Sequence, residues 1–406
     1  MNTRKSLRAI SFVALFGAAA AALVFDGRVE AARAAAAGET QVVAAGLNNP
    51  RGLAFGPDGA LYVAEAGSGG EGPCAEGPEG PRCYGPTGSV TRVDLRKGGA
   101  ARVATGLPSA ASPEDGSFAT GPHDISLQGR GQMFVTIGYA GDPNSRTDSF
   151  GPAGTFFARL ARVNASGNWS LQEDLGAYEA AANPAGDEVD SNPYGVLALA
   201  GRQVVADAGA NALNEVAADG SVRTLAVFPD RLVEAPDFLE LPPGTEIPMD
   251  AVPTSVAAGP DGMFYVGQLN GFPFPVGGAN VYRVPAQGGT PEVFASGFTA
   301  VVDVAFGPDG SLYVLEIAKN GLLAAFIAND WTGALVRVAP DGTRTELAAG
   351  ELFAPGGVAV GPDGAIYVTN NSIFSGTGEV LRIGSSEVPF QRRASSSRVS
   401  GGKGRR

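Results

Sequence analysis

The sequence predicts an all-β fold, a six-bladed β-propeller, and three observations carry that prediction. Gly-Pro-Asp-Gly recurs at Gly56–Gly59, Gly259–Gly262, Gly307–Gly310 and Gly361–Gly364, each copy followed by an apolar-aromatic strand. A charged residue followed by an aliphatic one recurs six times: Arg92-Val93, Arg162-Val163, Glu215-Val216, Arg283-Val284, Arg337-Val338 and Arg382-Ile383. The composition, with 59 Gly, 29 Pro and only 17% charged residues, suits short buried strands joined by frequent turns better than helices.

Each element of the repeat has a local cause. In Gly-Pro-Asp-Gly, Pro presets the second turn position, Asp suits the third and the last Gly accepts a positive φ, so the chain folds back into the next strand. Those strands read Leu61-Tyr62-Val63, Phe264-Tyr265-Val266, Leu312-Tyr313-Val314 and Ile366-Tyr367-Val368. Ile125 to Val135, turning at Gln128-Gly129-Arg130-Gly131, and Val196 to Val205, turning at Ala200-Gly201-Arg202, are degenerate copies that bring the count to six. After the charged-aliphatic strand come turns such as Lys97-Gly98-Gly99 and Pro340-Asp341-Gly342, then a fourth strand. A four-stranded unit of roughly 45 to 70 residues is a propeller blade. The sixth unit stops at Ile383, but Val43 to Leu47 copies the fourth-strand pattern of Val103 to Leu107. The N-terminal strand is therefore expected to complete the last blade, leaving no open edge. The predicted propeller spans residues 40–384.

The ends read differently. Arg4, Lys5 and Arg8 precede an apolar run from Ile10 to Phe25 and an Ala-rich stretch with a small-x-small site at Ala32-Arg33-Ala34, the layout of a signal peptide over residues 1–34. The expected location is secreted, extracellular or periplasmic, with no transmembrane segment in the mature chain. Residues 387–406, rich in Ser, Gly and Arg, read as a disordered basic tail. In an oxidising compartment Cys74 and Cys83, the two cysteines, are expected to form a disulfide across a Gly/Pro-rich loop; their spacing is not C-x-x-C and no His is near. The formal charge is −12, and because both ends are basic the propeller itself is more acidic still. That surface repels phosphate backbones and attracts cations, so nucleic acid is excluded as a partner and calcium is a candidate ligand.

With strands lettered A to D from the axis outward, every A–B and C–D link is a tight turn. The long segments, 66–87, 108–120, 138–156, 230–251, 267–278 and 317–332, are B–C or D–A links and so share one face. The inner strands begin on that face with Pro50-Arg51-Gly52, Pro122-His123-Asp124, Pro193-Tyr194-Gly195, Pro253-Thr254-Ser255, Val301-Val302-Asp303 and Pro355-Gly356-Gly357. Arg51, His123, Asp124, Tyr194, Thr254 and Asp303 should therefore ring the channel mouth. The B strands leave toward it through Glu65, Asp207, Gln268, Glu316 and Asn370. Two readings stand side by side. Arg51, His123, Tyr194, Thr254, Gln268 and Asn370 could bind a ligand and Glu65, Asp124, Asp207, Asp303 and Glu316 a calcium ion, or these groups simply hydrogen-bond neighbouring loops. His123 is the single histidine and, with Asp124, the candidate acid–base group. Tyr139, Phe150, Phe156, Phe157, Phe272, Phe274, Phe326 and Trp331 either form an apolar rim on this face or pack on one another. The Arg-Val pairs read as blade-to-blade packing.

Pro50 to Gly59, the Cys74 to Cys83 loop, Thr87-Gly88-Ser89-Val90-Thr91-Arg92-Val93 and Gly121-Pro122-His123-Asp124-Ile125 resemble the ScyD/ScyE family over about residues 40 to 384. The resemblance implies an exported protein with NHL-like propeller repeats, and it implies no activity or catalytic residues. More distantly the plan is similar to gluconolactonase-type and sugar-dehydrogenase-type propellers, some with calcium or a quinone on the axis, although their site motifs do not match here. Two functions follow as expectations. One is an extracellular binding or scaffolding module for a small molecule, a protein or an envelope polymer. The other is a calcium-dependent lactonase or hydrolase with its site at the channel mouth. No G-x-S-x-G elbow, zinc signature or phosphate loop is present.

Overall fold

The computed structural model describes residues 40–77 and 79–384. The signal-peptide and basic-tail expectations fall outside them. Six antiparallel sheets follow one another along the chain, five of four strands and the first of five. Blade 1 consists of Pro50–Phe55, Leu61–Glu65, Gly80–Val93 and Ala100–Ala111; blade 2 of Pro122–Gln128, Gln132–Ile137, Arg159–Val163 and Trp169–Asp174. Pro193–Leu199, Arg202–Asp207, Ala212–Ala217 and Val222–Val227 make blade 3, and Pro253–Ala258, Phe264–Gln268, Ala279–Val284 and Glu292–Phe298 make blade 4. Blade 5 is Val301–Phe306, Leu312–Glu316, Ala334–Val338 and Arg344–Leu347. Blade 6 is Gly357–Val360, Ile366–Asn370 and Gly378–Ile383, closed by Thr40–Leu47, which pairs Thr40 with Ile383 and Leu47 with Gly378. The inner strands touch in cyclic order, with that of blade 6 meeting that of blade 1, so the sheets ring a common axis as a six-bladed β-propeller.

The core is distributed over the junctions rather than placed at one centre. Leu47 and Val380 of blade 6 pack on Leu53 and Val63 of blade 1, Val90 on Met133 and Val135, and Leu160 on Val196 and Val205. Ala206 and Leu213 meet Phe264 and Val266, Val281 meets Val304 and Val314, and Leu315 meets Val358 and Val368. Each fully buried Leu, Ile or Val contributes roughly 1.5–3 kcal/mol, so each junction is a small apolar core of its own.

The Gly-Pro-Asp-Gly turns do more than reverse the chain. Gly59 has φ +73°, as the turn requires, and Asp58 Oδ1 accepts the Ala60 N–H at 3.1 Å. Its other oxygen accepts from Arg92 at 2.8 Å and the Tyr62 hydroxyl at 3.4 Å. Asp309 receives Arg337 at 2.9 Å, and Asp363 receives Arg382 at 2.9 Å and Tyr367 at 3.1 Å. Arg92, Arg337 and Arg382 of the charged-aliphatic pairs thus close on a turn within their own blades, where blade-to-blade packing was expected; the following aliphatic residue is buried.

Several expected loops carry structure of their own, helices at Arg146–Phe150 and Leu322–Ala328 among them. The third strand of blade 1 starts at Gly80 and forms a hairpin with Cys74–Gly77, in which Cys74 faces Cys83 and the two are joined by the expected disulfide. The connection into blade 4 holds the hairpin Arg231–Glu234 and Glu246–Met249. A further excursion, the helix Leu175–Ala182 between blades 2 and 3, has no counterpart in the sequence reading; it is capped by Asp174, which accepts the Ala177 N–H.

Candidate functional site at the mouth of the axial channel

Five inner strands carry a register irregularity just after their first residue: between Pro50 and Leu53, Pro122 and Asp124, Pro193 and Gly195, Pro253 and Ser255, and Val301 and Asp303. Such bulges re-aim side chains. They set Arg51, His123 and Tyr194 of three successive blades together. The His123 and Tyr194 rings lie 4.6 Å apart, and the Arg51 guanidinium reaches the Ala119 carbonyl at 3.0 Å, with Nε unpartnered. His123 is buried; Nδ1 has no partner and faces the Cα of Gly138, where a Cβ would come within 2.3 Å of it. Burial, followed by the charges of Arg51 and Arg82, pushes its pKa down to about 3 against the opposing pull of the Pro193 carbonyl. His123 is therefore neutral across the physiological range.

Asp124 and Asp303 come from blades 2 and 5, opposite one another in the ring. Each is held in the same way. Asp124 accepts the N–H of Ile125 and, across the junction, of Val196, both at 2.7 Å. Asp303 accepts those of Val304 and Val358, again at 2.7 Å. Gly52 makes room for the first of them, since a Cβ there would stand 1.8 Å from Asp124 Oδ1. Burial raises both carboxyls above the usual range, Asp303 to about 7; the charge of Asp303 raises Asp124 further, and the backbone N–H groups only partly offset this. Tyr194 is raised by burial, eased by the cation and a hydrogen bond of Arg51, and raised again by Asp303 and Asp124. Arg51, His123, Asp124, Tyr194 and Asp303 thus form one electrostatic unit. Thr254 is turned away from it, donating to the Val301 carbonyl at 2.8 Å.

The residues at the ends of the B strands join the connections entering the inner strands. Glu65 accepts the Asn48 N–H at 2.7 Å, Asp207 that of Asn192 at 2.6 Å, Glu316 that of Thr299 at 2.8 Å and Asn370 that of Phe353 at 2.8 Å. Gln268 accepts from the Asn280 N–H at 3.1 Å and from Arg231 at 3.4 Å. Glu65 is the most elaborate, taking Ser89, Thr91 and a two-point contact from Arg102 as well. Burial raises Asp207 and pushes Glu316 up to about 7.

Around the mouth most of the loop aromatics pack on one another. Tyr139, Phe150 and Phe157 are buried, with ring centroids 5.1–6.3 Å apart, beneath the guanidinium of Arg82, a residue the sequence did not single out. Phe326 and Trp331 meet at 5.1 Å and close on Phe118. Phe156 and Phe238 remain exposed. A cleft of about 210 Å³ between blades 2 and 3, lined by Gln128, Phe134, Arg162 and Gln203, opens at the tight-turn face instead. Among the described residues, one group of three acidic, His or Cys side chains has ligand atoms within 4.8 Å of one another: Asp187, Asp230 and Asp250, on the connections between blades 2, 3 and 4. Among the described residues no helix is long and apolar enough to cross a membrane.

No protein-family model matches the chain, and no curated protein does. Solved structures do. A glucose dehydrogenase matches with a TM-score of 0.50 at 14% identity, over 85% of this chain and 99% of its own. Virginiamycin B lyase from Staphylococcus aureus matches with 0.46 at 12%, over 85% and 98%. Regucalcin from Agrobacterium tumefaciens, a calcium-binding protein, matches with 0.44 at 15%, over 84% and 94%. At these identities the likeness concerns the fold alone, and in fold the chain is similar to six-bladed β-propeller proteins.

Proposed function

We propose that this is a secreted propeller of the ScyD/ScyE type that takes a small neutral molecule at the loop-side mouth of its axial channel and handles a proton there, as a hydrolase acting on an ester or lactone does. The observation that carries this reading is the Asp124–Asp303 pair: two carboxyls on opposed blades, clasped alike by backbone N–H groups and both raised toward neutrality. Coupled carboxyls that resist joint ionisation keep one proton between them, giving an acid and a base in one place. With one carboxylate against the Arg51 cation the mouth is close to neutral, which favours an uncharged ligand. Arg51 and the Tyr194 hydroxyl offer donors to a carbonyl oxygen. The axial carboxylates direct their oxygens at backbone N–H groups, which suits them to proton transfer.

The test is a panel of small lactones and esters, followed by kcat/KM against pH. Asp303→Asn and Asp124→Asn should each lower turnover by about 100-fold or more, with circular dichroism unchanged. Absence of turnover on the whole panel, or full turnover in both variants, would overturn the proposal. Calorimetric binding without turnover would instead favour the binding-module reading, which the concentration of long connections on this face supports.

A further inference from the structure

On the tight-turn face, the junction between blades 2 and 3 departs from the repeat. Near its start every B strand sets one residue opposite the aliphatic member of the charged-aliphatic pair. Five blades place a buried apolar side chain there: Leu61, Met133, Phe264, Leu312 and Ile366, none more than 3% exposed. Blade 3 has Gln203, opposite Val216. Gln203 is 8% exposed and lines the cleft of about 210 Å³ together with Phe134, and among the described residues no hydrogen bond engages its amide. An amide taken out of water without a partner is disfavoured, so an apolar residue would serve this junction better.

A second departure lies beside the first. In blades 1, 5 and 6 the arginine of the pair is bound by the turn aspartate and stands opposite a tyrosine. Blade 2 has Arg130 in place of that aspartate and Phe134 in place of the tyrosine. Arg162 therefore lacks its anchor, and among the described residues its guanidinium makes no hydrogen bond or ion pair. Glu173 is likewise unengaged, and its carboxylate reaches across the junction: a Cβ on Gly220, in the C–D turn of blade 3, would stand 2.5 Å from its Oε1. Arg162, Glu173 and the amides of Gln128 and Gln132 line the same cleft as Gln203.

We propose that this cleft binds a small polyhydroxylated molecule, a monosaccharide or a polyol of similar size. A hydroxyl donates and accepts at once, as do the three amides, whereas Arg162 only donates and Glu173 only accepts. Neighbouring hydroxyls on one ligand serve all five groups, and its C–H face packs on Phe134. A zwitterion would engage Arg162 and Glu173 and leave the amides unserved. At about 210 Å³ the cleft falls below the roughly 300 Å³ at which pockets for drug-sized ligands begin, which limits the occupant to a single small ring. The site opens at the opposite face from the axial mouth, so it is independent of the Asp124–Asp303 chemistry.

The experiment titrates the full chain calorimetrically with D-glucose, D-galactose, D-ribose, myo-inositol and glycerol, and with glycine and L-serine as zwitterions. At least one of the polyols should bind with a Kd of about 1 mM or tighter. Gln203→Leu, which restores the apolar residue of the other blades, should weaken that binding by about tenfold or more and leave Tm unchanged or higher. Arg162→Gln, at the exposed rim, should weaken it by about fivefold or more without affecting the fold. Asp124→Asn/Asp303→Asn should bind as the unmodified protein does. The proposal is overturned by no binding of any polyol, by equal or tighter binding of the zwitterions, or by polyol binding that survives Gln203→Leu and Arg162→Gln or is lost with the axial pair. A lower Tm in Gln203→Leu would make the amide a structural part of the junction and overturn it as well.

Discussion

Replacing Asp303 by Asn should change the way stability depends on pH. The native carboxyl titrates at about 7 against an ordinary value of 3.8, because burial disfavours its charge. In the unfolded chain the proton leaves near pH 4, while the native protein retains it to about pH 7, so the native state is progressively disfavoured as pH rises through that window and the effect then levels off. At 1.36 kcal/mol per unit the full difference is about 4 kcal/mol, reduced to about 2–4 kcal/mol by the solvent that reaches the channel. An Asn carries no such titration, and its amide loses one of the two N–H contacts from Val304 and Val358, a cost that does not vary with pH. Urea unfolding followed by the fluorescence of Trp169 and Trp331 at pH 4.5, 5.5, 6.5 and 7.5 gives the comparison. The unmodified protein should lose about 2–4 kcal/mol relative to Asp303→Asn between the extremes. Parallel profiles, with a difference constant to within about 0.5 kcal/mol, would refute the raised carboxyl and with it the proton-sharing pair.

Two further substitutions probe the supports of the site. Gly52→Ala places a Cβ 1.8 Å from Asp124 Oδ1, so it should displace that carboxyl, weaken the junction between blades 2 and 3, and lower stability by about 1–3 kcal/mol; an unchanged urea midpoint would show that Asp124 moves freely. Glu65→Leu leaves the donors on Asn48, Ser89, Thr91 and Arg102 without their acceptor, at a cost of about 3–5 kcal/mol, whereas Glu65→Gln, which keeps an acceptor, should cost less; equal losses in the two variants would count against the hydrogen-bond account.

The architecture was legible because its signals are local. A positive φ at the fourth residue of each Gly-Pro-Asp-Gly turn demands glycine, and the copy of Val103 to Leu107 at Val43 to Leu47 revealed how the ring closes. The partner of the turn aspartate was harder to see. Asp58 lies four residues before Tyr62 but 34 before Arg92, and the recurrence of all three in later repeats was the available signal. The helix Leu175–Ala182 carries no repeat signature at all. At the site, strand order was enough to bring Arg51, His123, Asp124, Tyr194 and Asp303 to one end of the channel. Rotamers decide the rest, and no pattern in the chain shows that Nδ1 of His123 lies against Gly138, or that Thr254 turns toward Val301.

The repeat also identifies what the fold does not require. At the repeat position that Asp124 and Asp303 occupy, blades 1, 3 and 6 have Gly52, Gly195 and Gly357, and blade 4 has Ser255. Close packing explains these small residues: a Cβ on Gly195 would meet the Cα of Ser255 at 2.7 Å, and one on Gly357 the Cα of Gly52 at 2.8 Å. Four blades therefore join the ring without a carboxyl at this position. Blades 2 and 5 carry Asp124 and Asp303 there, at a desolvation cost that their raised pKa values express, and their backbone contacts only partly relieve it. Carboxylates at the tight turns behave in the opposite way: Asp58, Asp309 and Asp363 sit at the rim beside Arg92, Arg337 and Arg382 and are lowered, whereas Asp207 and Glu316, buried at the ends of B strands, are raised as the axial pair is. Two ionisable groups that four of the blades lack, carried on opposed blades and disfavoured by burial, are what the proposed proton chemistry at the channel mouth requires.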